Sequence, residues 1–230
     1  VGQPSQWKQI SEITLYNHFS SPLEMKDING NYASTKMGDN DTKVTIVGNA
    51  GYNEMFFSGA ENNPSANFPT YLEPEITITN ASRNSVYFHT GKQSVAATSS
   101  SLFGTAMKNG QHRPGKYKIS VWVEKTNASK ARINNNGVIV DFTETYNAGN
   151  WVLKSGYVTV PTSAYSINVT SLDTSTVYFD DLMIRPIYSS TTGYVYNEWD
   201  ELTYIIGNNG LATKFEYDAG GRLIKTSTEV

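Results

Sequence analysis

The chain has 230 residues and a net charge of −3, and its 18 basic residues are scattered along the sequence, which gives no indication of nucleic-acid or anionic-lipid binding. It contains no cysteine, which excludes disulfides, thiolate catalysis and cysteine-based metal sites. No apolar run approaches the ~20 residues of a membrane span. The first residues resemble neither an initiator nor a signal peptide, so we expect an internal fragment of a longer protein.

Apolar and polar residues alternate through most of the chain. Residues 116–124 show the pattern best, with Trp122 on the face opposite the apolar one. Turn-rich stretches separate many short runs of this kind, which predicts an all-β sandwich or jelly roll. A short helix is expected over Asn49–Phe56. The other predicted strands are Glu75–Thr79, Ser85–His89, Gly137–Phe142, Trp151–Val160, Tyr165–Val169 and Val177–Arg185.

The two ends of the chain resemble each other. A Tyr-Asn pair precedes an Asn-Gly pair near each end, and a Tyr-Asp pair follows near the C-terminus. Each unit predicts a β-hairpin in which Asn or Asp and Gly form the tight turn. One hairpin cannot bury a core alone, so we expect these hairpins to stack on neighbours. The pairs are Tyr16-Asn17, Asn29-Gly30, Tyr196-Asn197, Asn209-Gly210 and Tyr217-Asp218.

At these positions the sequence resembles the YD-repeat (RHS) family. The segment Tyr217-Asp218-Ala219-Gly220-Gly221-Arg222-Leu223 is close to the family signature, while Asn replaces Asp after Tyr16 and Tyr196. The stretches 22–30 and 49–54 are also similar to bacterial surface or secreted RHS proteins. The resemblance implies an exported bacterial protein, extracellular or on the cell surface, in which further YD repeats of the same polypeptide are partners.

The middle of the chain resembles the galactose-binding-like jelly rolls of carbohydrate-binding modules. The resemblance lies in the order of four motifs: residues 56–61, 89–94, 115–123 and 177–184. It implies a β-sandwich of five strands on four, often with one structural Ca²⁺, that binds sugars on a concave face or at loop tips. We therefore predict an all-β fold in which a jelly-roll β-sandwich, residues 56–188, is flanked by YD-repeat β-hairpins in residues 1–55 and 189–230.

The resemblance also implies candidate calcium ligands. Carried over to this chain, they are Glu61, Gly91, Ser94 and Asp180 or Asp181, because Ca²⁺ takes six to eight oxygen ligands. The alternative is an Asp pair that caps a turn. Adjacent strand residues point to opposite faces, so the Asp pair cannot act as a general acid and base unless a bulge intervenes.

Aromatic residues on the strands are the candidate sugar contacts. Trp122 has polar neighbours on its face and could stack against a sugar ring, and Tyr146 and Tyr157 are secondary candidates. Alternatively, a second sheet, a repeat hairpin or a loop covers Trp122. We expect His89, before a Thr-Gly turn, to make a structural hydrogen bond.

These residues predict a non-catalytic module that recognises a glycan or cell-surface polysaccharide. The alternative is a structural spacer or plug inside a shell of YD repeats, without a ligand. The exposure of Trp122 distinguishes the glycan-binding module from the structural spacer, because a buried Trp122 cannot stack against a sugar ring.

Overall fold

The computed structural model describes residues 7–38, 41–61 and 76–230, which form three antiparallel sheets. The helix expected over Asn49–Phe56 is the 3-10 turn Tyr52–Glu54, and a second 3-10 segment spans Lys125–Lys130. No helix in the described ranges is both long enough and apolar enough to cross a membrane. The strands are β1 Ser11–Tyr16, β2 Pro22–Asp27, β3 Tyr32–Gly38, β4 Lys43–Gly48, β5 Phe56–Ser58, β6 Ile76–Thr79, β7 Ser82–Asn84, β8 Ser94–Ala97, β9 Leu102–Met107, β10 Gly115–Glu124, β11 Ala131–Asn135, β12 Val138–Val140, β13 Glu144–Ala148, β14 Trp151–Val160, β15 Tyr165–Ser171, β16 Val177–Pro186, β17 Thr191–Tyr196, β18 Leu202–Ile206, β19 Ala212–Tyr217 and β20 Leu223–Thr228.

Both ends of the chain contribute to one eight-stranded sheet. Its order is β1-β2-β3-β4-β17-β18-β19-β20. The two halves join where β4 pairs with β17 and Gly48 faces Thr191. The N-terminal and C-terminal hairpins therefore belong to the same sheet, and the chain leaves it after β4 and returns at β17.

Four hairpins of this sheet have the same turn. Asn17 Oδ1 accepts the N–H groups of Phe19 and Ser21, at 3.0 and 2.8 Å. Asp27, Asn197 and Asp218 each accept the N–H groups two and four residues later in the same way. The turn requires only the Oδ1 acceptor, so Asn can replace Asp without changing it.

The other two sheets pack face to face as a β-sandwich. The seven-stranded sheet has the order β13-β14-β10-β16-β8-β7, with β5 paired to β16, and the five-stranded sheet has the order β12-β11-β15-β9-β6. Ile119, Val121 and Phe179 from the first sheet share one buried cluster with Phe103 and Ile133 from the second. The period of two produces this core because alternate side chains of each strand point inward. The prediction of an all-β sandwich is confirmed.

One predicted strand is wrong. Residues 85–89 are not a strand, because Asn84 Oδ1 accepts the N–H groups of Val86 and Tyr87, at 2.9 and 2.8 Å, and turns the chain after β7. Such local side-chain bonds compete with strand pairing. The turn directs His89 towards β16. Glu75, in another predicted strand, lies outside the described residues, and β6 begins at Ile76.

Candidate functional site

The outer face of the seven-stranded sheet, turned away from the sandwich core, carries all three aromatic candidates. Leu153 pairs with Trp122 on one side and with Tyr146 on the other, while Tyr157 pairs with Lys118. Directly paired residues of an antiparallel sheet share a face. The structure thus places Trp122, Tyr146 and Tyr157 on the same surface, across strands β13, β14 and β10.

Trp122 is fully buried on this face, so the prediction of a surface platform at Trp122 is wrong. The turn at residues 207–211, between β18 and β19, covers it, and the indole Nε1–H donates to Gly210 O at 2.8 Å. On its other side the indole stacks against His89, with ring centroids 4.0 Å apart. The cover is a hairpin of the eight-stranded sheet, which is one of the alternatives that the sequence left open.

An open groove of about 350 Å³ lies beside the covered tryptophan on the same face. Tyr146 lines it with 41% of its surface exposed, so its ring is accessible to a ligand. Tyr157 does not line the groove, although its cross-strand partner Lys118 does. The lining residues are Lys118, Glu144, Thr145, Tyr146, Leu153, Ser155, Asn209 and Leu211.

Glu144 is the acidic group of the groove. Its carboxylate accepts the Tyr157 hydroxyl at 2.7 Å and lies 3.4 Å from Lys118 Nζ. The hydrogen bond from Tyr157 and the charge of Lys118 lower the pKa of Glu144, while the bond to Glu144 raises the pKa of Tyr157. Sequence reasoning missed Glu144 and Lys118, although Glu144 stands two residues before Tyr146 and therefore on the same strand face.

A β-bulge places Asp180 and Asp181 on the same side of β16. The register between β10 and β16 shifts between Ser120 and Trp122, and Asp181 has φ +48°. Both carboxylates then meet the turn at Thr90: its N–H donates to Asp180 at 3.2 Å and its hydroxyl to Asp181 at 2.7 Å. Both side chains are buried, so a substrate cannot reach them and they cannot serve as a general acid and base.

His89 is the positive group of this buried cluster. Its Nδ1 lies 2.7 Å from Asp181 Oδ2, and its Nε2 lies 3.1 Å from Glu229 Oε1. Burial opposes the imidazolium, but the bonds and charges of Asp181 and Glu229 outweigh it and raise the pKa of His89 to about 9. Burial and the charge of Asp181 raise the pKa of Asp180. The expected structural hydrogen bond of His89 is confirmed.

The remaining calcium candidates surround the same turn. Glu61 Oε1 accepts the N–H groups of Lys92 and Gln93, both at 2.7 Å. Gly91 has φ +61°, and a Cβ there would lie 2.3 Å from Glu61 Oε1, so only glycine lets this carboxylate approach the turn. Ser94 Oγ donates to Tyr87 O.

This donor set fits a hydrogen-bonded cluster better than a calcium shell. Asp180 alone accepts three backbone N–H groups, from His89, Thr90 and Asp181. Among the described residues, no group of three or more His, Asp and Glu side chains is arranged as a metal site. A cation would have to displace these donors before it could reach the carboxylate oxygens.

We accordingly expect neither calcium nor a chelator to change the stability of the chain. The melting temperature in 5 mM CaCl₂ should equal that in 5 mM EDTA within about 1 °C, because bound ligand would stabilise the fold by mass action. Thermal unfolding followed by circular dichroism measures both. If calcium raises the melting temperature by several degrees and Glu61→Gln abolishes that increase, the chain has a calcium site at Glu61.

No family model matches the chain, and no curated protein matches it. Among solved structures, it is similar to the CBM22-1–GH10 modules of the endo-1,4-β-D-xylanase 10B of Clostridium thermocellum, complexed with xylohexaose. There the TM-score is 0.31 and the identity 17%, over 59% of this chain and 26% of that one. It is also similar to the CBM22-1 xylan-binding domain of Xyn10C of Paenibacillus barcinonensis. The TM-score there is 0.32 and the identity 15%, over 65% of this chain and 96% of that one.

Proposed function

We propose that this chain is a non-catalytic carbohydrate-recognition unit that binds neutral glycans in the groove beside Tyr146. The observation that carries the proposal is an exposed aromatic ring next to a fixed, ionised carboxylate in an open groove. The Tyr146 ring offers a stacking face for the C–H groups of a sugar, and Glu144 offers an acceptor for its hydroxyl groups. Lys118 balances the charge of Glu144, which favours a neutral ligand over an acidic one.

The proposal also covers the polypeptide in which the unit stands and its location. The shared Asn and Asp turns of the eight-stranded sheet support repeat hairpins of the YD type, which would continue in the same polypeptide. A bacterial protein of that kind would present the groove outside the cell or on its surface, to a polysaccharide. The affinity of such a shallow site would be micromolar to millimolar, or ~4–8 kcal/mol.

A structural role without a ligand is the second candidate. The observation in its favour is the burial of Trp122, since the eight-stranded sheet covers part of the face that a sugar would otherwise contact. In that case the sandwich is a spacer or plug held by the sheet, and the groove is only the gap left beside the covering turn.

Replacing Tyr146 with alanine separates the two candidates. We expect the variant to bind neutral polysaccharides at least about tenfold more weakly than wild type, because the stacking face is lost, with an unchanged melting temperature. Titration calorimetry against a panel that includes xylo-oligosaccharides measures this loss. Tyr146→Phe should keep most of the affinity, because it keeps the ring.

The matched control is Tyr16→Ala on the edge strand β1, where the side chain is 50% exposed and far from the groove along the sheet order. It should bind like wild type. If wild type binds none of the glycans, or if Tyr146→Ala binds as well as wild type, the groove is not the site and the structural role is favoured.

A further inference from the structure

The groove beside Tyr146 has walls from two different layers of the molecule. Tyr146 and Leu153 come from the sandwich, whereas Asn209 and Leu211 come from the turn between β18 and β19 of the eight-stranded sheet. A ligand in the groove would therefore touch both layers at once.

Two hydrogen bonds join the turn that forms the second wall to the sandwich. Gly210 O accepts the Trp122 indole N–H at 2.8 Å, and Asn208 O accepts a guanidinium N–H of Arg185 at 3.3 Å. Gly210 has φ +85°, and a Cβ there would lie 2.9 Å from Leu153 Cδ2. The backbone conformation therefore favours glycine at this position, and the two hydrogen bonds hold the wall in place before any ligand arrives.

Asn209 supplies the polar group of this second wall. Its Oδ1 accepts the Leu211 N–H at 3.1 Å, which fixes the orientation of the carboxamide, and the side chain is exposed. Its Nδ2 has no hydrogen-bond partner among the residues that the structure describes. An amide donor on one wall and the Glu144 acceptor on the other can recognise different hydroxyl groups of the same sugar.

We propose that Asn209 is a specificity-determining contact of the glycan site and that ligand binding is linked to the docking of the β18–β19 hairpin on the sandwich. This inference rests on the proposed function and extends it, because the sandwich alone supplies only one wall. A ligand that bridges the two layers stabilises the docked arrangement by its binding free energy.

Two substitutions test the contact in the full chain, with the glycan that wild type binds best in the panel above. Asn209→Asp keeps the Oδ1 acceptor and therefore the turn, but removes the amide donor and places a second carboxylate opposite Glu144. Asn209→Ala removes the side chain. We expect both to weaken binding at least about fivefold, and Asn209→Asp to do so with little change in melting temperature because it keeps the bond to Leu211 N–H. Asn29→Ala, in the corresponding Asn-Gly turn beside β2, should bind like wild type.

Hydrogen exchange measured with and without the same glycan tests the linkage. We expect the ligand to slow amide exchange in residues 202–217 and to leave the hairpin of β1 and β2 unchanged. If Tyr146→Ala loses binding while both Asn209 variants bind like wild type and residues 202–217 show no added protection, this inference is wrong and the proposed function stands. If wild type binds no glycan, both are wrong.

Discussion

Trp122→Ala is expected to lower the free energy of unfolding by about 3–5 kcal/mol, because it empties a fully buried site between the sandwich and the hairpin turn that covers it. The substitution removes the stacking partner of His89 and leaves Gly210 O without its indole donor. Urea unfolding followed by circular dichroism measures the loss, since the emission of the remaining three tryptophans reports only local changes.

Two further variants separate the contributions of the tryptophan. Trp122→Phe keeps a ring against His89 but loses the N–H group, so it should cost about 1–3 kcal/mol through the unsatisfied Gly210 carbonyl. Trp199→Ala is the control, because Trp199 is 71% exposed and its removal should cost less than about 1 kcal/mol. If Trp122→Ala costs no more than Trp199→Ala, the hairpin turn does not cover Trp122 in solution.

The second large effect is a loss of stability as the pH rises from about 6.5 to 9. The pKa of His89 is raised to about 9 in the folded chain, above its ordinary value of 6.5, so the folded state holds this proton more tightly than the unfolded state. The stabilisation is fully present below pH 6.5 and disappears as the pH rises through 9, with a total of about 3 kcal/mol. The groups that face His89 are Asp180 and Asp181 of β16 and Glu229 beyond β20.

The free energy of unfolding measured at several pH values between 6 and 9.5 tests this expectation. His89→Gln should reduce the slope, because glutamine does not titrate in this range, and should be less stable than wild type below pH 6.5. His18→Gln, which alters a half-exposed histidine in the turn after β1, should keep the slope. An equal slope in wild type and His89→Gln would show that His89 is not the titrating group.

The alternation of residues predicts the strands well but not what covers them. β14 occupies the predicted residues Trp151–Val160, and the same alternation places Trp122 on the outer face of β10. This face is partly buried because the turn at Gly210, 88 positions later in the chain, covers it. No local pattern in the sequence of β10 reveals that contact. The face of Trp122 was therefore predictable, and its exposure was not.

For the polar residues too, local structure was predictable from the sequence and long-range contacts were not. The Asn and Asp turns were predictable because each uses only its own four following residues. The placement of Asp180 and Asp181 on one side of β16 was not, because a bulge at a non-glycine residue leaves no signal in the sequence. Asn209 could be predicted as a turn residue, but not as a wall of a groove, since its opposite wall is on β13 and β14.

The pairing of β4 with β17 makes the whole segment 49–190, topologically, the loop of a single hairpin. The entropy of closing a loop grows only with the logarithm of its length, so doubling this segment would add about 0.6 kcal/mol to the closure. For β4 and β17 to pair, the two ends of the segment must lie about 5 Å apart, which is the spacing of neighbouring antiparallel strands. The stability of the eight-stranded sheet should consequently depend little on the size of the domain inserted between β4 and β17, provided that the two ends of that domain lie close together.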